Sequence, residues 1–292
     1  MSLDLCPPID FTLEHIFDNI VELPTFPKVV AKALAILDDP NGTIAQLVDV
    51  LRFDPSLTAN MLRLTNSAHF GLSRQVTDLH TALTLLGQVQ TREVLIASAG
   101  APYLARPLSG YLMEPRDLWI HSMATAIMAE ILGKKCGYPD RSILFTCALL
   151  HDIGKIVLNM FVGNRLDEIL TLAQQEGLAF TEAEWRVLGG DHAVIGSDIL
   201  RQWDFPPDIV RAVRNHHDPD LYVHDDLSAL LALSNILAVQ LGMGVGADGF
   251  RHRIRPSLYE RLGLSRVDLH ICIIKALAEY ERSSDIISGF VP

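Results

Sequence analysis

Three of the eleven histidines in this sequence are followed directly by an aspartate. One of them, His224, lies in a polar stretch, where a solvated pair is expected. His151-Asp152 instead lies between the apolar runs 143–150 and 156–158, a pattern typical of a buried helix. Burying an unpaired charge is costly, so a buried imidazole and carboxylate must pair with other groups or bind a metal ion. The residues around His151 and Asp152 therefore predict a buried polar pair or a metal site.

Other side chains with metal-ligand chemistry are spread along the chain: Asp117, His121, His192, His216 and His217. Asp117 precedes His121 by one helical turn and is expected on the same helix face. Neutral imidazole combined with carboxylate suits Mn, Fe, Ni or Zn better than Mg or Ca. Each histidine taken alone is more often a hydrogen-bonded core or surface residue, so the residues alone leave both interpretations open.

Lys155 adds a positive charge to the same region. It follows His151 by four residues and is expected to share its helical face. An ammonium group there could contact a phosphate as a point charge. Lys155 is therefore a candidate phosphate contact beside the His151-Asp152 pair.

Helical periodicity recurs along the chain while alternating strand patterns hardly appear, which predicts an all-α protein. Start signals support the helices: a capping box at 43–46, Asp54-Pro55, Thr181-x-x-Glu184 and Ser265-x-x-Asp268. The predicted helices span about 28–38, 44–52, 55–66, 78–102, 115–136, 140–160, 164–175, 192–203, 207–215, 226–241 and 266–282.

The helical pattern is weakest near residues 104–114, where Pro107 and Gly110 interrupt it. Short helices precede this point, and longer helices with most of the histidines follow it. The pattern predicts an N-terminal subdomain over 1–108 and a second subdomain over 109–292. No long flexible linker separates them, so they are expected to pack together.

The charge balance bears on possible partners. A net charge of −11 argues against a nucleic-acid partner, because proteins that bind phosphate backbones usually carry a basic stripe. The nearest basic cluster, Arg251, Arg253 and Arg255, is more typical of a solvated turn. No nucleic-acid partner is therefore expected.

Features that bear on location favour a soluble cytoplasmic protein. The four cysteines are far apart and form no CxxC pair, which is typical of reduced thiols. The first residues lack the basic and apolar regions of a signal peptide. Residues 227–247 carry no charge, but Gly242, Gly244 and Gly246 break the run, which leaves a core helix too short for a membrane span.

Several motifs carry a resemblance to a known family. The order of the histidines and the string HDIGK at 151–155 resemble the HD superfamily of metal-dependent phosphohydrolases. The segments 23–30, 54–71 and 82–87 resemble the HDOD family within it. So do the later segments 118–122, 190–193, 203–206 and 216–219. The resemblance covers about residues 15–285. It implies a multi-helix HD-like bundle with an N-terminal helical subdomain packed on it.

The resemblance also implies roles for individual residues. His121, His151 and Asp152 would hold one metal, and Asp152 would bridge to a second metal held by His192, His216 and His217. Asp117 matches a position for an additional contact. If the protein is a hydrolase, Asp152 would be the general base or water-orienting group, and Lys155 would hold the phosphoester. The last ligand position falls on Asn235, where the family pattern has an aspartate. The Gly-Tyr-Pro loop of the related HD-GYP branch is also missing, because Asp-Pro-Asp-Leu-Tyr follows His217.

Two functions follow from this resemblance. The first is a bacterial signalling or regulatory protein that retains an HD-type site for one or two divalent transition metals (Fe, Mn, Ni or Zn). It would bind a protein partner or a small phosphorylated ligand. The alternative is a metal-dependent phosphohydrolase acting on a nucleotide or another phosphoester. Asn235 and the missing loop favour the first function, whereas HDIGK and the His216-His217 pair favour the second.

Overall fold

The computed structural model describes residues 26–67, 70, 72, 74–249 and 255–291. Over these ranges the chain forms helices joined by turns, without a β-strand, which confirms the all-α prediction. The α-helices are α1 (Lys28–Asp38), α2 (Ile44–Leu51), α3 (Pro55–Thr65), α4 (Leu79–Leu104), α5 (Asp117–Cys136), α6 (Arg141–Leu150), α7 (Gly154–Glu176), α8 (Phe180–Leu188), α9 (His192–Gln202), α10 (Pro207–Asn215), α11 (Pro219–Tyr222), α12 (Asp226–Gln240), α13 (Pro256–Arg261), α14 (Arg266–Arg282) and α15 (Ser284–Gly289). Four predicted features lie partly outside the described residues: the cysteine set at Cys6, the segment 23–30, the segment 54–71, and the basic cluster at Arg251 and Arg253.

Three predicted helix starts are confirmed by their hydrogen bonds. At α2 the Thr43 hydroxyl accepts from the Gln46 backbone N–H at 3.3 Å, and the Gln46 side chain accepts from the Thr43 backbone at 2.8 Å. Ser265 and Asp268 form the same reciprocal pair at the start of α14. The Asp54 carboxylate accepts a backbone N–H in the first turn of α3. Each pair satisfies donors that a helix start otherwise leaves unpaired.

A helix begins close to Thr181-x-x-Glu184, as predicted, but Thr181 and Glu184 do not cap it. The N-cap of α8 is Ala179, whose backbone N–H donates to the Glu182 carboxylate at 2.7 Å. Glu184 is fully buried and accepts from His192 instead. Its carboxylate faces the interior of the protein and cannot reach the exposed helix end.

The single helix predicted over 140–160 is also wrong, because α6 and α7 are separated by a turn that contains His151 and Asp152. The backbone of Gly154 lies directly against the first turn of α9 just after this turn. A Cβ atom on Gly154 would stand 2.0 Å from the carbonyl oxygen of His192. Only glycine permits this approach, which brings the start of α9 beside the His151-Asp152 turn.

The interior contains two hydrophobic clusters. The smaller one joins α1, α2 and α3 to the first part of α4, around Met61. The larger one joins the rest of α4 to the following helices, around Trp119. α4 bends at Gly87, where φ is 69°, and contributes to both clusters along its length up to Leu104. Because α4 contributes to both clusters, the clusters do not divide the chain at residue 108. The predicted subdomain boundary there stays a prediction.

The helices of the larger cluster meet around the turn between α6 and α7. α5 packs against α6, α12 and α14, while α9 packs against α7 and α10. The first turns of α5, the start of α9 and the end of α10 are therefore brought to one place. The candidate metal ligands lie at that place.

Within the described residues, one stretch is apolar and long enough by composition to cross a membrane, over Arg141–Glu176. It comprises α6 and α7, and 78% of its most apolar window is buried inside the fold. The uncharged run at 227–247 forms the buried helix α12, whose 15 residues are fewer than the roughly 20 that a bilayer span requires. Both segments are buried inside the fold, as core helices are.

Candidate metal centre

Four buried histidines surround the carboxylate of Asp152: His121, His151, His192 and His216. The Nε2 atoms of His121 and His151 lie 3.5 and 3.3 Å from Asp152 Oδ2. Those of His192 and His216 lie 3.3 and 3.7 Å from Asp152 Oδ1. The rings come from α5, the turn after α6, the start of α9 and the residue after α10. Each oxygen of one carboxylate therefore faces two imidazoles.

Backbone carbonyls fix the direction of three of these rings. The Nδ1 atoms of His121, His151 and His216 lie 3.1, 2.7 and 2.6 Å from the carbonyl oxygens of Met243, Ala148 and Val213. A carbonyl oxygen only accepts, so each Nδ1 carries the proton and a neutral ring presents an unprotonated Nε2 inward. Burial lowers the pKa of both His121 and His216 to about 4, against the opposing pull of Asp152, so both rings are neutral at pH 7.

A carboxylate orients the fourth ring. Glu184 Oε2 accepts from Nδ1 and from the backbone N–H of His192, at 2.8 and 3.1 Å. Its other oxygen accepts from the buried Tyr111 hydroxyl at 2.5 Å. Burial opposes a charge on His192, but Glu184 and Asp152 outweigh it and raise the pKa of His192 to about 10. Such outer carboxylates are typical partners of metal-binding histidines.

Three buried atoms at the centre of the cluster have no hydrogen-bond partner among the described residues: His151 Nε2, His216 Nε2 and Asp152 Oδ1. Buried polar atoms in proteins are nearly always paired. All three atoms carry lone pairs, and cations bound beside Asp152 would satisfy them. Imidazole nitrogen with carboxylate oxygen is a donor set that fits a divalent transition metal.

The potential ligand atoms form two groups, each within 4.8 Å: His121, His151 and Asp152, and Asp152, His192, His216 and His217. Asp152 belongs to both groups. His217, which is only partly buried, has its Nε2 2.9 Å from that of His192. The geometry can therefore hold one ion, or two ions bridged by Asp152.

Asn235 lies beside the first group, on α12. Its side-chain Oδ1 is 3.0 Å from Nε2 of His121. Since Nδ1 of His121 carries the proton, Nε2 can only accept, so a direct hydrogen bond requires the amide NH2 to face it. With Oδ1 facing inward, both atoms would instead offer their lone pairs to a bound cation. Asn235 is therefore placed to act as a neutral oxygen ligand.

A family model of the HDOD domain matches residues 23–219. This chain belongs to the HDOD family. The match covers both the N-terminal motifs and the elements that carry the cluster, from His121 to His217.

Three relatives place this HDOD chain among known proteins. It is 25% identical to an HDOD domain protein of unknown function from Geobacter sulfurreducens, with 95% of each chain covered and a TM-score of 0.71. A candidate phosphohydrolase from Shewanella amazonensis shares the fold at 24% identity, with 94% and 97% of the chains covered and a TM-score of 0.69. An uncharacterized protein of Treponema pallidum is 24% identical over 70% of this chain. The aligned part spans 39% of that relative's length.

Lys155 of the HDIGK string has a setting that the sequence did not predict. Its Nζ lies 2.5 Å from Asp152 Oδ2 and 2.5 Å from Asp248 Oδ2, and the side chain is 2% exposed. The two carboxylates outweigh the opposing effect of burial and raise the pKa of Lys155. The two carboxylates enclose the ammonium in the interior of the protein. Lys155 is therefore not exposed to contact a phosphate, in contrast to what the sequence had suggested.

Asp117 is the predicted ligand that the structure does not bring into either group. It is half-buried at the start of α5, and its carboxylate accepts the backbone N–H of Glu114 at 2.7 Å. This hydrogen bond fixes the turn that leads into α5. A metal contact by Asp117 stays a prediction.

Two carboxylates of the site were missed by the sequence analysis. Glu184 was assigned to a helix start, and Asp248 lies in a short turn 93 residues after Lys155. With Asp152 they set three buried carboxylates against the ammonium of Lys155 and the protonated ring of His192, so negative charge is in excess at the centre. These two anions offset part of the charge that Asn235 does not supply.

A Glu184→Gln variant is expected to bind metal about 10–100-fold more weakly, as is typical when an outer partner of a ligating histidine is changed. The amide would keep the shape of the contact with His192 but remove its negative charge. Competition with a chelator measures the affinity. Glu182→Gln, on the same helix but outside the cluster, is the matched control. Equal affinities in both variants would show that Glu184 has no such role.

Proposed function

We propose that this HDOD protein is a bacterial signalling or regulatory protein whose second half holds one or two divalent transition metal ions. The observation that carries the proposal is the orientation of the histidines. Each of four buried rings has its Nδ1 held by an outer acceptor and its Nε2 directed at Asp152. The proposed ligands are His121, His151, Asp152, His192, His216 and His217, with Asn235 as a neutral oxygen donor.

Three features favour a regulatory role over catalysis. The ammonium of Lys155 already occupies one oxygen of Asp152, the position of a water-orienting group. The same lysine is bound to Asp248 and is not exposed for a substrate. Asn235 replaces an anionic ligand with a neutral one. A metal held in this way would stabilise the bundle, and a protein or a small phosphorylated ligand would be the partner through which the protein signals.

One observation favours the alternative function, a metal-dependent phosphohydrolase. His217 lines two clefts, of about 500 and 360 Å³, and Arg255 lines both. Arg214 also lines the larger cleft, so guanidinium groups lie close to the exposed edge of the cluster. These groups could bind the phosphate of an ester at this edge. A bound divalent metal would supply an activated water to such a site.

The metal site is tested by metal analysis of purified protein after reconstitution with Mn or Fe. Wild-type protein is expected to retain at least roughly 0.5 equivalent of metal, as a preformed ligand set would. The His151→Ala variant should lose the metal, because His151 is one of the three side chains in the group with His121 and Asp152. His224→Ala, which alters the exposed His-Asp dipeptide, is the matched control and should retain the metal. Wild-type protein that stays metal-free would refute the site.

A substrate screen separates the regulatory function from the alternative. Metal-loaded protein is incubated with phosphoesters, nucleotides and cyclic dinucleotides, and the release of product is measured. The regulatory proposal expects no turnover above that of an Asp152→Ala variant. Turnover that this variant abolishes would overturn it in favour of the phosphohydrolase.

A further inference from the structure

A separate cavity lies where the two hydrophobic clusters meet, and it shares no lining residue with the metal centre. Its volume is about 510 Å³, and its walls come from α3, α4, α5, α6, α14 and α15. Most of the lining is apolar, with Leu86, Ile127, Phe145 and Ile287 as examples. Small-molecule sites in proteins are typically clefts of about 300–1,000 Å³ lined in this way.

One part of the cavity wall is strongly acidic. Glu93 of α4, Glu130 of α5 and Glu279 of α14 line it together with Arg141 of α6. Three carboxyl groups therefore face one guanidinium. The Oε1 atom of Glu93 is buried and has no hydrogen-bond partner among the described residues. Burial and then the charge of Glu130 raise the pKa of Glu93 to about 8, with Arg141 opposing them.

We infer that this cavity binds an organic monocation, with an ammonium head between Glu93 and Glu130 and an apolar chain along the walls. An ammonium group donates up to three hydrogen bonds, enough for both carboxylates and for the unpaired Oε1 atom. It would take the place of the proton that Glu93, with its pKa raised to about 8, carries at pH 7. The inference concerns a second site and does not depend on the proposed metal centre.

Other ligand classes fit the cavity less well. An organic anion would face a surplus of carboxylates, and a neutral apolar ligand would leave Glu93 Oε1 buried and unpaired. A hard divalent cation such as Ca²⁺ takes about six to eight oxygen ligands, and the apolar walls do not supply them. A cation with an apolar chain is the class that matches both parts of the wall.

Isothermal titration calorimetry of the full chain at pH 7 tests the inference, with hexylamine, hexanol and hexanoate as probes. Hexylamine is expected to bind at least about tenfold more tightly than the other two, because only it pairs with the carboxylates. A Glu93→Gln/Glu130→Gln variant should weaken hexylamine binding at least about tenfold by the same reasoning. Glu260→Gln, an exposed site away from the cavity, is the charge-matched control and should change nothing.

A second variant protects the test against misfolding of the first. Val89 lines the cavity but is 51% exposed, so Val89→Lys should fold normally and place a competing ammonium at the rim. It is expected to weaken hexylamine binding, with circular dichroism unchanged. Equal binding of hexylamine and hexanol, or hexylamine binding that survives both variants, would overturn the inference. Preferential binding of Mn²⁺ or Ca²⁺ at these carboxylates would overturn it as well.

Discussion

An Asp152→Ala variant is expected to lose metal from both ligand groups, with affinity lowered more than about 100-fold, beyond the effect typical of an outer partner. Asp152 is the one residue common to both groups, and each of its oxygens faces two histidines. Without it, neutral imidazoles and the amide of Asn235 would face the cation. The measurement is the metal content and the affinity of the reconstituted variant, compared with wild-type protein.

A His217→Ala variant provides the contrast, because His217 belongs to one group only. It should leave the group of His121, His151 and Asp152 intact and retain its metal. If the protein holds two ions, this variant is expected to hold one. An Asp152→Ala variant that keeps the wild-type metal content would contradict the shared-carboxylate arrangement.

The second large effect is on stability. Lys155→Met is expected to lower the free energy of unfolding of the metal-free protein by about 3–5 kcal/mol, the range for breaking a buried ion pair by removing one partner. The ammonium is almost completely buried between Asp152 and Asp248, and the variant leaves both carboxylates without their cation. Urea denaturation followed by circular dichroism measures the change.

Lys134→Met is the matched control for this prediction, because Lys134 is exposed on α5. Its effect should stay within about 0.5 kcal/mol, as for most surface substitutions. Added metal is expected to restore part of the stability of Lys155→Met, because a cation at Asp152 replaces part of the lost charge. A loss of less than about 1 kcal/mol would mean that water reaches these carboxylates.

The sequence predicted the helical class, and the structure confirms it. Local signals define a helix start, which is why the capping boxes at Thr43 and Ser265 match the observed hydrogen bonds. The candidate ligands were identified because histidine and aspartate are costly to bury without a partner. The resemblance to the HDOD family then located Asn235, which lies against His121 in the structure.

The remaining features depend on contacts between distant residues. The apolar run around His151 has the periodicity of one helix. The chain turns there because Gly154 packs against the backbone of α9, a contact that periodicity cannot predict. Glu184 matches a capping pattern, and only the folded chain turns it toward His192. Asp248 has no motif of its own, and its role follows from the position of Lys155.

Anomalous diffraction at the metal absorption edge, from a crystal of protein reconstituted with Mn or Fe, tests the central claim most directly. The arrangement predicts an anomalous peak within about 2.0–2.3 Å of His121 Nε2, His151 Nε2 and Asp152 Oδ2, which are ordinary metal–ligand distances. A second peak, if present, should lie between Asp152 Oδ1 and the Nε2 atoms of His192 and His216. Reconstituted crystals without a peak at Asp152, or with metal bound only at the surface, would contradict it.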